Sequence, residues 1–385
     1  MKHHFLAALA AAALAACGGG GNDGHTQSTV AALKVVGASL ADSGTFNGRK
    51  FTVQPGTTTT TYRVYSERIA ATFSTPLCNA YSSTGAAFSA SAGCTNFAVA
   101  GARLNYTNST GAVDDTSPLS GVKQLSDAGG AGYGANDLLL VGELSANDTA
   151  AFVEAYLGAQ TNPAAFQGLL LTLLPPTTVA ANATNAPLLG TLYMQALADK
   201  MTATVKAQAL DKGARRVAIL NTLDVTRTPR FVGVLAQVSA AAGAAQAAQL
   251  QQLIQAWIGA YNTRLATNAT ALGAGVVVVD FFTNFNNEMN DPAQYGLNDV
   301  TGTVCDQVVN AQGTKQPAVV SLSTPAVMGA CTDVNASAIT PSQGANGTST
   351  WWTKYLFADN FHPTPYGHQL LAQMVAKRLT EAGWL

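Results

Sequence analysis

Five short apolar runs, most of them rich in branched side chains, constrain this chain more than any other feature. They are Leu33–Gly37, Asn96–Ala100, Asp137–Gly142, Arg215–Leu220 and Gly275–Asp280. Runs of this length without polar alternation are the pattern of strands buried on both faces of a parallel sheet. Helix-like segments separate them. Tyr65–Phe73 and Ala150–Leu157 are short, whereas Thr191–Lys212 and Ala241–Ala266 are long and Ala-rich. A last helix starts at Pro365, a residue suited to the first helical turn. It places Leu370, Leu371, Met374, Val375 and Leu379 on one face. Alternating strands and helices predict a three-layer α/β/α domain around a central five-stranded parallel sheet. The polar stretches Thr57–Thr61, Thr107–Gly134 and Val304–Trp351 read as loop insertions, because none separates two independent sets of strands. With no internal repeat, one domain over residues 30–385 is the expectation.

The N-terminus has the form of a targeting segment. Lys2 supplies the positive end, Phe5 to Ala16 the apolar stretch, and Leu14-Ala15-Ala16-Cys17 closes it. This resembles a bacterial lipoprotein signal, which implies cleavage after residue 16, lipid on Cys17 and a flexible tether over 17–29. Gly18 is not the aspartate that often retains lipoproteins in the inner membrane. The expected location is therefore the outer membrane of a Gram-negative bacterium. Beyond Cys17 four cysteines remain: Cys78, Cys94, Cys305 and Cys331. In an oxidising compartment they allow two disulfides in any of three pairings. The sequence-local one, Cys78 with Cys94 and Cys305 with Cys331, is expected. A metal centre is disfavoured, since no Cys-x-x-Cys occurs and histidines are few.

Composition narrows the partners. Hydrophobic residues are 48% and charged residues 11% of the 385, which is a chain able to bury a core. The net charge of −1 comes without a basic block, so the chain has no electrostatic footprint for nucleic acid. A monomer is expected.

The first run leads into Gly37-Ala38-Ser39-Leu40, which puts a serine at the end of a strand. A serine hydroxyl needs a base to become a nucleophile. Of five histidines, His3, His4 and His25 fall in the targeting segment and tether, leaving His362 and His368. His368 lies inside the last helix, near its polar face, where a histidine is ordinarily a surface or packing residue. His362 stands in the loop Asp359-Asn360-Phe361-His362-Pro363. A carboxylate three residues away can bond one ring nitrogen and leave the other to face a nucleophile. Asp42 is expected to stabilise the turn after Ser39 or cap a helix, and Asp224 to be a structural loop residue.

Taken together, Gly-Ala-Ser-Leu at 37–40 and Asp-x-x-His at 359–362 resemble the first and last motifs of the SGNH (GDSL) hydrolases. The middle motifs follow in order. Asn96-Phe97-Ala98-Val99-Ala100-Gly101-Ala102 is similar to the second, whose glycine maps to Gly101. Ser145-Ala146-Asn147-Asp148 is similar to the third, whose asparagine maps to Asn147. Gly134-Ala135-Asn136-Asp137 matches that third motif better in letters, but Asn136 precedes its strand. Functional groups of such sheets gather beyond the carboxyl ends of strands, which favours Asn147. Asn221-Thr222-Leu223-Asp224 and Tyr295–Val300 also resemble family segments, and the likeness runs from Leu33 to the C-terminus. The sequence departs from the pattern at Ala38, where the family has an aspartate, and at Ser145, where it has a glycine.

The resemblance implies a flavodoxin-like SGNH fold and a serine hydrolase of carboxylic esters acting through an acyl-enzyme. Ser39, His362 and Asp359 would form the triad, with the N–H groups of Ser39 and Gly101 and the Asn147 amide as oxyanion hole. No cofactor or metal is needed. Lipid or aliphatic acyl esters are expected ahead of sugar acetates, with Phe282, Phe285, Trp351 and Trp352 as candidates to line an acyl site. An α/β-hydrolase is disfavoured, since its Gly-x-Ser-x-Gly elbow is broken by Ala41. The non-enzymatic alternative is an impaired member of the fold, a surface lipoprotein that binds without turnover.

Overall fold

The computed structural model describes residues 30–85, 87–311, 321–339 and 348–385. The expected signal peptide, the tether and Cys17 lie outside the described residues. Eight strands occur among those described: β1 (Ala32–Val36), β2 (Tyr81–Ser83), β3 (Phe88–Ala90), β4 (Asp137–Val141), β5 (Val217–Leu220), β6 (Val276–Val279), β7 (Asp299–Thr303) and β8 (Tyr355–Phe357). The central sheet is parallel in the order β1-β4-β5-β6. Leu138 to Val141 and Val217 to Leu220 are fully buried, as their unbroken apolar runs require. Two-stranded pairs, β2–β3 and β7–β8, stand apart from it.

The sheet thus has four strands rather than five. Asn96–Ala100 does run beside β1, with Phe97 N donating to Val35 O (2.7 Å) and Val99 N to Gly37 O (3.2 Å). It makes only a single bridge there. The next rung is missing because Gly37 N donates to Gln124 Oε1 (2.9 Å) instead, while the Asn96 side chain accepts from Ala98 N (3.1 Å) and donates to Ala41 O (2.9 Å) on the side away from β1. A side chain that bonds backbone competes with the ladder.

Helices pack on the sheet in two groups. Gly121–Ala128 lies on β1 and against Ala186–Gln208, which in turn packs along Ala244–Ala271 next to β6. Tyr65–Thr72 packs on Pro365–Glu381, which also rests on β6. There Arg378 Nε donates to Val278 O (3.0 Å) on the edge strand.

A second apolar cluster joins Phe51 and Val53 to Val304, Val308, Trp351, Trp352 and Tyr355. The disulfide Cys305–Cys331 runs through it, and Cys78–Cys94 ties the segment beside β1. Cys305 N donates to Ala358 O (2.8 Å), so this cluster backs the loop that carries Asp359. The aromatics considered for an acyl site serve packing instead. Phe285 sits between Phe281 and Phe357. Phe282 packs on the main core. Trp351 and Trp352 spend their ring N–H groups on Ala336 O and Ser337 Oγ.

Candidate active site

β1 ends at Val36, and Ser39 sits in the turn just beyond its carboxyl end, closed by Asp42 N donating to Ala38 O (3.0 Å). Beyond β8 the chain makes a tight loop in which Ala358 N donates to His362 O (2.8 Å). The two loops meet. His362 Nε2 lies 2.9 Å from Ser39 Oγ, and His362 Nδ1 lies 2.9 Å from both carboxylate oxygens of Asp359. Asp359 is fully buried and His362 nearly so. Burial by itself would raise the Asp359 carboxyl. The imidazole of His362 and the N–H groups of Leu322 (2.6 Å) and Phe361 (2.9 Å) outweigh it and hold the group below its usual range. A carboxylate so held fixes Nδ1 as the protonated nitrogen and leaves Nε2 to accept from Ser39. Thr52 Oγ1 donates to Pro363 O (2.9 Å), and the Phe51 ring packs on the imidazole at 4.8 Å between centroids.

Gly101 and Asn147 line the same cavity as Ser39 and His362. Gly101 has φ +83°, a conformation that disfavours any residue with a Cβ. Asn147 lies in the first turns of helix Leu144–Gly158, after β4. One of its two amide hydrogens goes to Ala102 O (3.0 Å), which leaves the other for a ligand. Asn136, the competing asparagine, is exposed in the turn before β4. Among the described residues the N–H groups of Ser39 and Gly101 have no hydrogen-bond partner, while both neighbours of each do. Glu143 Oε1 accepts from Ala38 N (3.2 Å) and Leu40 N (2.8 Å). Asp42 Oδ2 accepts from Ala100 N (2.9 Å), and Val99 O from Ala102 N (3.0 Å). Two free N–H donors and a free amide hydrogen thus line one cavity of about 710 Å³.

The two departures from the family pattern are explained by neighbours. Ala38 is fully buried, and the Glu143 carboxylate already accepts from its amide and from that of Leu40. A second carboxylate there would face repulsion without water to screen it. Burial raises the Glu143 carboxyl, and its N–H donors oppose the shift. The Ser145 hydroxyl is buried and accepts from Thr222 Oγ1 (2.5 Å), in the loop beyond β5. Asn221 serves the same loop, donating to Asp280 (3.0 Å) and accepting from Phe282 N (3.0 Å). Asp224 caps the short helical turn after it.

Sequence reasoning missed Glu143, Asp148 and Leu322. Asp148 accepts from Leu104 N (2.8 Å) and Asn105 N (2.9 Å), and so clamps the loop that follows Gly101. Its neighbour Asn147 was the only available signal. Glu143→Ala leaves two buried amides without an acceptor and is expected to destabilise the fold by about 3 kcal/mol and to lower kcat. Glu143→Gln keeps an acceptor oxygen and should restore most of both, as urea unfolding and steady-state rates would reveal. Asn147→Ala is expected to lower kcat about a hundredfold or more with a smaller change in KM. A loss confined to KM would assign Asn147 to ground-state binding instead.

His368, expected near the polar face of its helix, is fully buried. Its Nδ1 accepts from Tyr65 N (3.3 Å), and its Nε2 faces Phe51 O (3.4 Å). Burial lowers it from 6.5 to about 3. The fold therefore holds it neutral, while the unfolded chain protonates it below pH 6.5. Its contribution is complete above that pH and is lost as pH falls toward 3. The stability difference between the wild type and His368→Leu should shrink by about 1.4 kcal/mol per pH unit below 6.5. Asp148 and Glu288, raised by burial to about 6 and about 7, titrate in the opposite sense and cancel in that comparison. A difference independent of pH would show that the ring is charged in the fold.

No curated protein matches the chain significantly. The family model described as GDSL-like lipase/acylhydrolase matches residues 33–375, nearly the whole of the sheet, its helices and both loops of the site, and the chain belongs to that family.

Proposed function

We propose that this GDSL-family hydrolase cleaves carboxylic esters with Ser39 as nucleophile, His362 as general base and acid, and Asp359 as the group that orients and stabilises the imidazolium. The reading rests on one observation, the continuous contact from Ser39 Oγ through the His362 ring to a buried Asp359, each link 2.9 Å. As Oγ attacks the ester carbonyl, its proton passes to His362 Nε2. The tetrahedral oxyanion accepts from the N–H groups of Ser39 and Gly101 and from the Asn147 amide. Collapse expels the alcohol, which takes the proton back from His362. Water, activated by the same nitrogen, then hydrolyses the acyl-enzyme.

Phe46, Phe51, Leu322, Met328 and Phe361 give the cavity apolar walls, which favours aliphatic or lipid acyl groups over acetate. The protein works outside the cytoplasm, held through lipid on Cys17 at the outer membrane, where such esters occur. Hydrolysis of p-nitrophenyl esters from acetyl to palmitoyl tests the substrate class. Rates that rise beyond acetyl support it, and a maximum at acetyl, or no turnover by folded protein, contradicts it. Incorporation of labelled palmitate that disappears in Cys17→Ser tests the anchor.

A further inference from the structure

The described residues that line the cavity at Ser39 include two arginines, Arg49 and Arg230, and no Asp or Glu. That imbalance stands out in a chain of net charge −1. Asp359 is not in the cavity wall; it lies behind His362, with N–H donors on both of its oxygens.

Arg49 follows the segment that carries Ser39, and Arg230, at the start of helix Pro229–Ala242, is tied to the loop that carries Asp359 and His362. Arg49 closes the turn that follows the Ser39 segment, its N–H donating to Phe46 O (3.1 Å). That turn is tight. Gly44, at φ +127°, approaches Gly48 so closely that a Cβ would meet its backbone at 2.9 Å. Among the described residues the Arg49 side chain has no hydrogen bond or ion pair, and the residue is exposed. Arg230 donates its backbone N–H to Asn360 O (2.8 Å), between Asp359 and His362 in the chain. Its guanidinium meets Glu154 at 3.1 Å, a pair with 37% and 73% of the side chains exposed. Such a pair is weak and exchangeable. A free guanidinium and a half-committed one at the same cavity are suited to an anionic oxygen group, which planar guanidinium donors match in pairs.

We propose that Arg49, assisted by Arg230, forms an anion subsite in the catalytic cavity, so that the preferred substrates are esters that also carry a carboxylate or phosphate. This rests on the ester-hydrolase reading, and names its substrate class. The apolar walls take the aliphatic part while the arginines take the charge.

Two matched pairs of esters test it on the full chain. p-Nitrophenyl hexanoate against mono-p-nitrophenyl adipate places the charge on the acyl side. o-Nitrophenyl hexanoate against the same ester with a ring carboxylate places it on the alcohol side. The readout is the ratio of kcat/KM, anionic over neutral, so intrinsic reactivity cancels between variants. In at least one pair the ratio should fall about fivefold or more in Arg49→Gln, and further in Arg49→Gln/Arg230→Gln, with added salt lowering the wild-type ratio likewise. Ratios unchanged within about twofold in the double variant, in both pairs, overturn the subsite and leave the hydrolase reading intact. If the wild type turns over none of the esters, the hydrolase reading fails. Calorimetric titration with the two anionic esters then decides the subsite. Binding weakened about fivefold or more in Arg49→Gln supports it, and equal binding overturns it.

Discussion

Replacing Ser39 by alanine is expected to lower kcat for a p-nitrophenyl ester by about ten-thousandfold to a millionfold, with His362→Ala losing a comparable amount. The two losses should not add. Ser39 Oγ and His362 Nε2, 2.9 Å apart, share one proton transfer, so removing either partner removes the step. The double variant should retain about the activity of the worse single one. Ser39→Ala should melt close to the wild type, whereas His362→Ala leaves the buried Asp359 carboxylate without its imidazole partner and should melt lower. A residual rate above background in all three would reflect the oxyanion donors, which the substitutions leave in place. Multiplicative losses would mean that serine and histidine act in separate steps, against the mechanism proposed.

The second large effect is Asp359→Asn, expected to lower kcat by about ten-thousandfold. An amide can present its N–H to His362 Nδ1, which would place the ring proton on Nε2, facing Ser39 Oγ, where it cannot accept. The same change removes the charge that stabilises the imidazolium. It also alters a group that accepts from Leu322 N at 2.6 Å and His362 N at 2.6 Å. The loop should therefore loosen as well as lose its base. Raising the pH should recover little of the rate, because the defect is a misplaced proton rather than a protonated carboxylate. Full recovery at high pH would contradict this account.

The fold was legible where strands are buried on both faces. β4, β5 and β6 match apolar runs because a parallel sheet covered by helices requires such runs. The segment at Asn96 read as a strand and makes only one bridge to β1, because the pattern counts apolar residues and takes no account of a distant side chain, that of Gln124, which draws the Gly37 N–H out of the ladder. Ala241–Ala266 read as one helix. Gly243, at φ +95°, divides it into Pro229–Ala242 and Ala244–Ala271. That glycine was the visible signal, outweighed by the alanines around it. The contact of Ser39, His362 and Asp359 was legible because histidine is scarce and an Asp three residues before it is a local pattern. Glu143 was not, since its partners Ala38 and Leu40 lie more than a hundred positions away. Leu322 could not be found at all, because it contributes a backbone N–H and any residue but proline supplies one. The arginines were invisible for the same reason as Glu143, since only the fold brings Arg49 and Arg230 to one cavity.

The central claim is that Ser39 is activated by His362, and covalent capture tests it without a choice of substrate. A fluorophosphonate reacts fast only with a serine whose proton a neighbouring base can take. Treated with it and digested, the protein should carry one phosphonyl group, on the peptide containing Ser39. The adduct should be lost in Ser39→Ala and form far more slowly in His362→Ala. No adduct on folded wild-type protein, an adduct on another serine, or equal labelling without His362 would contradict the claim.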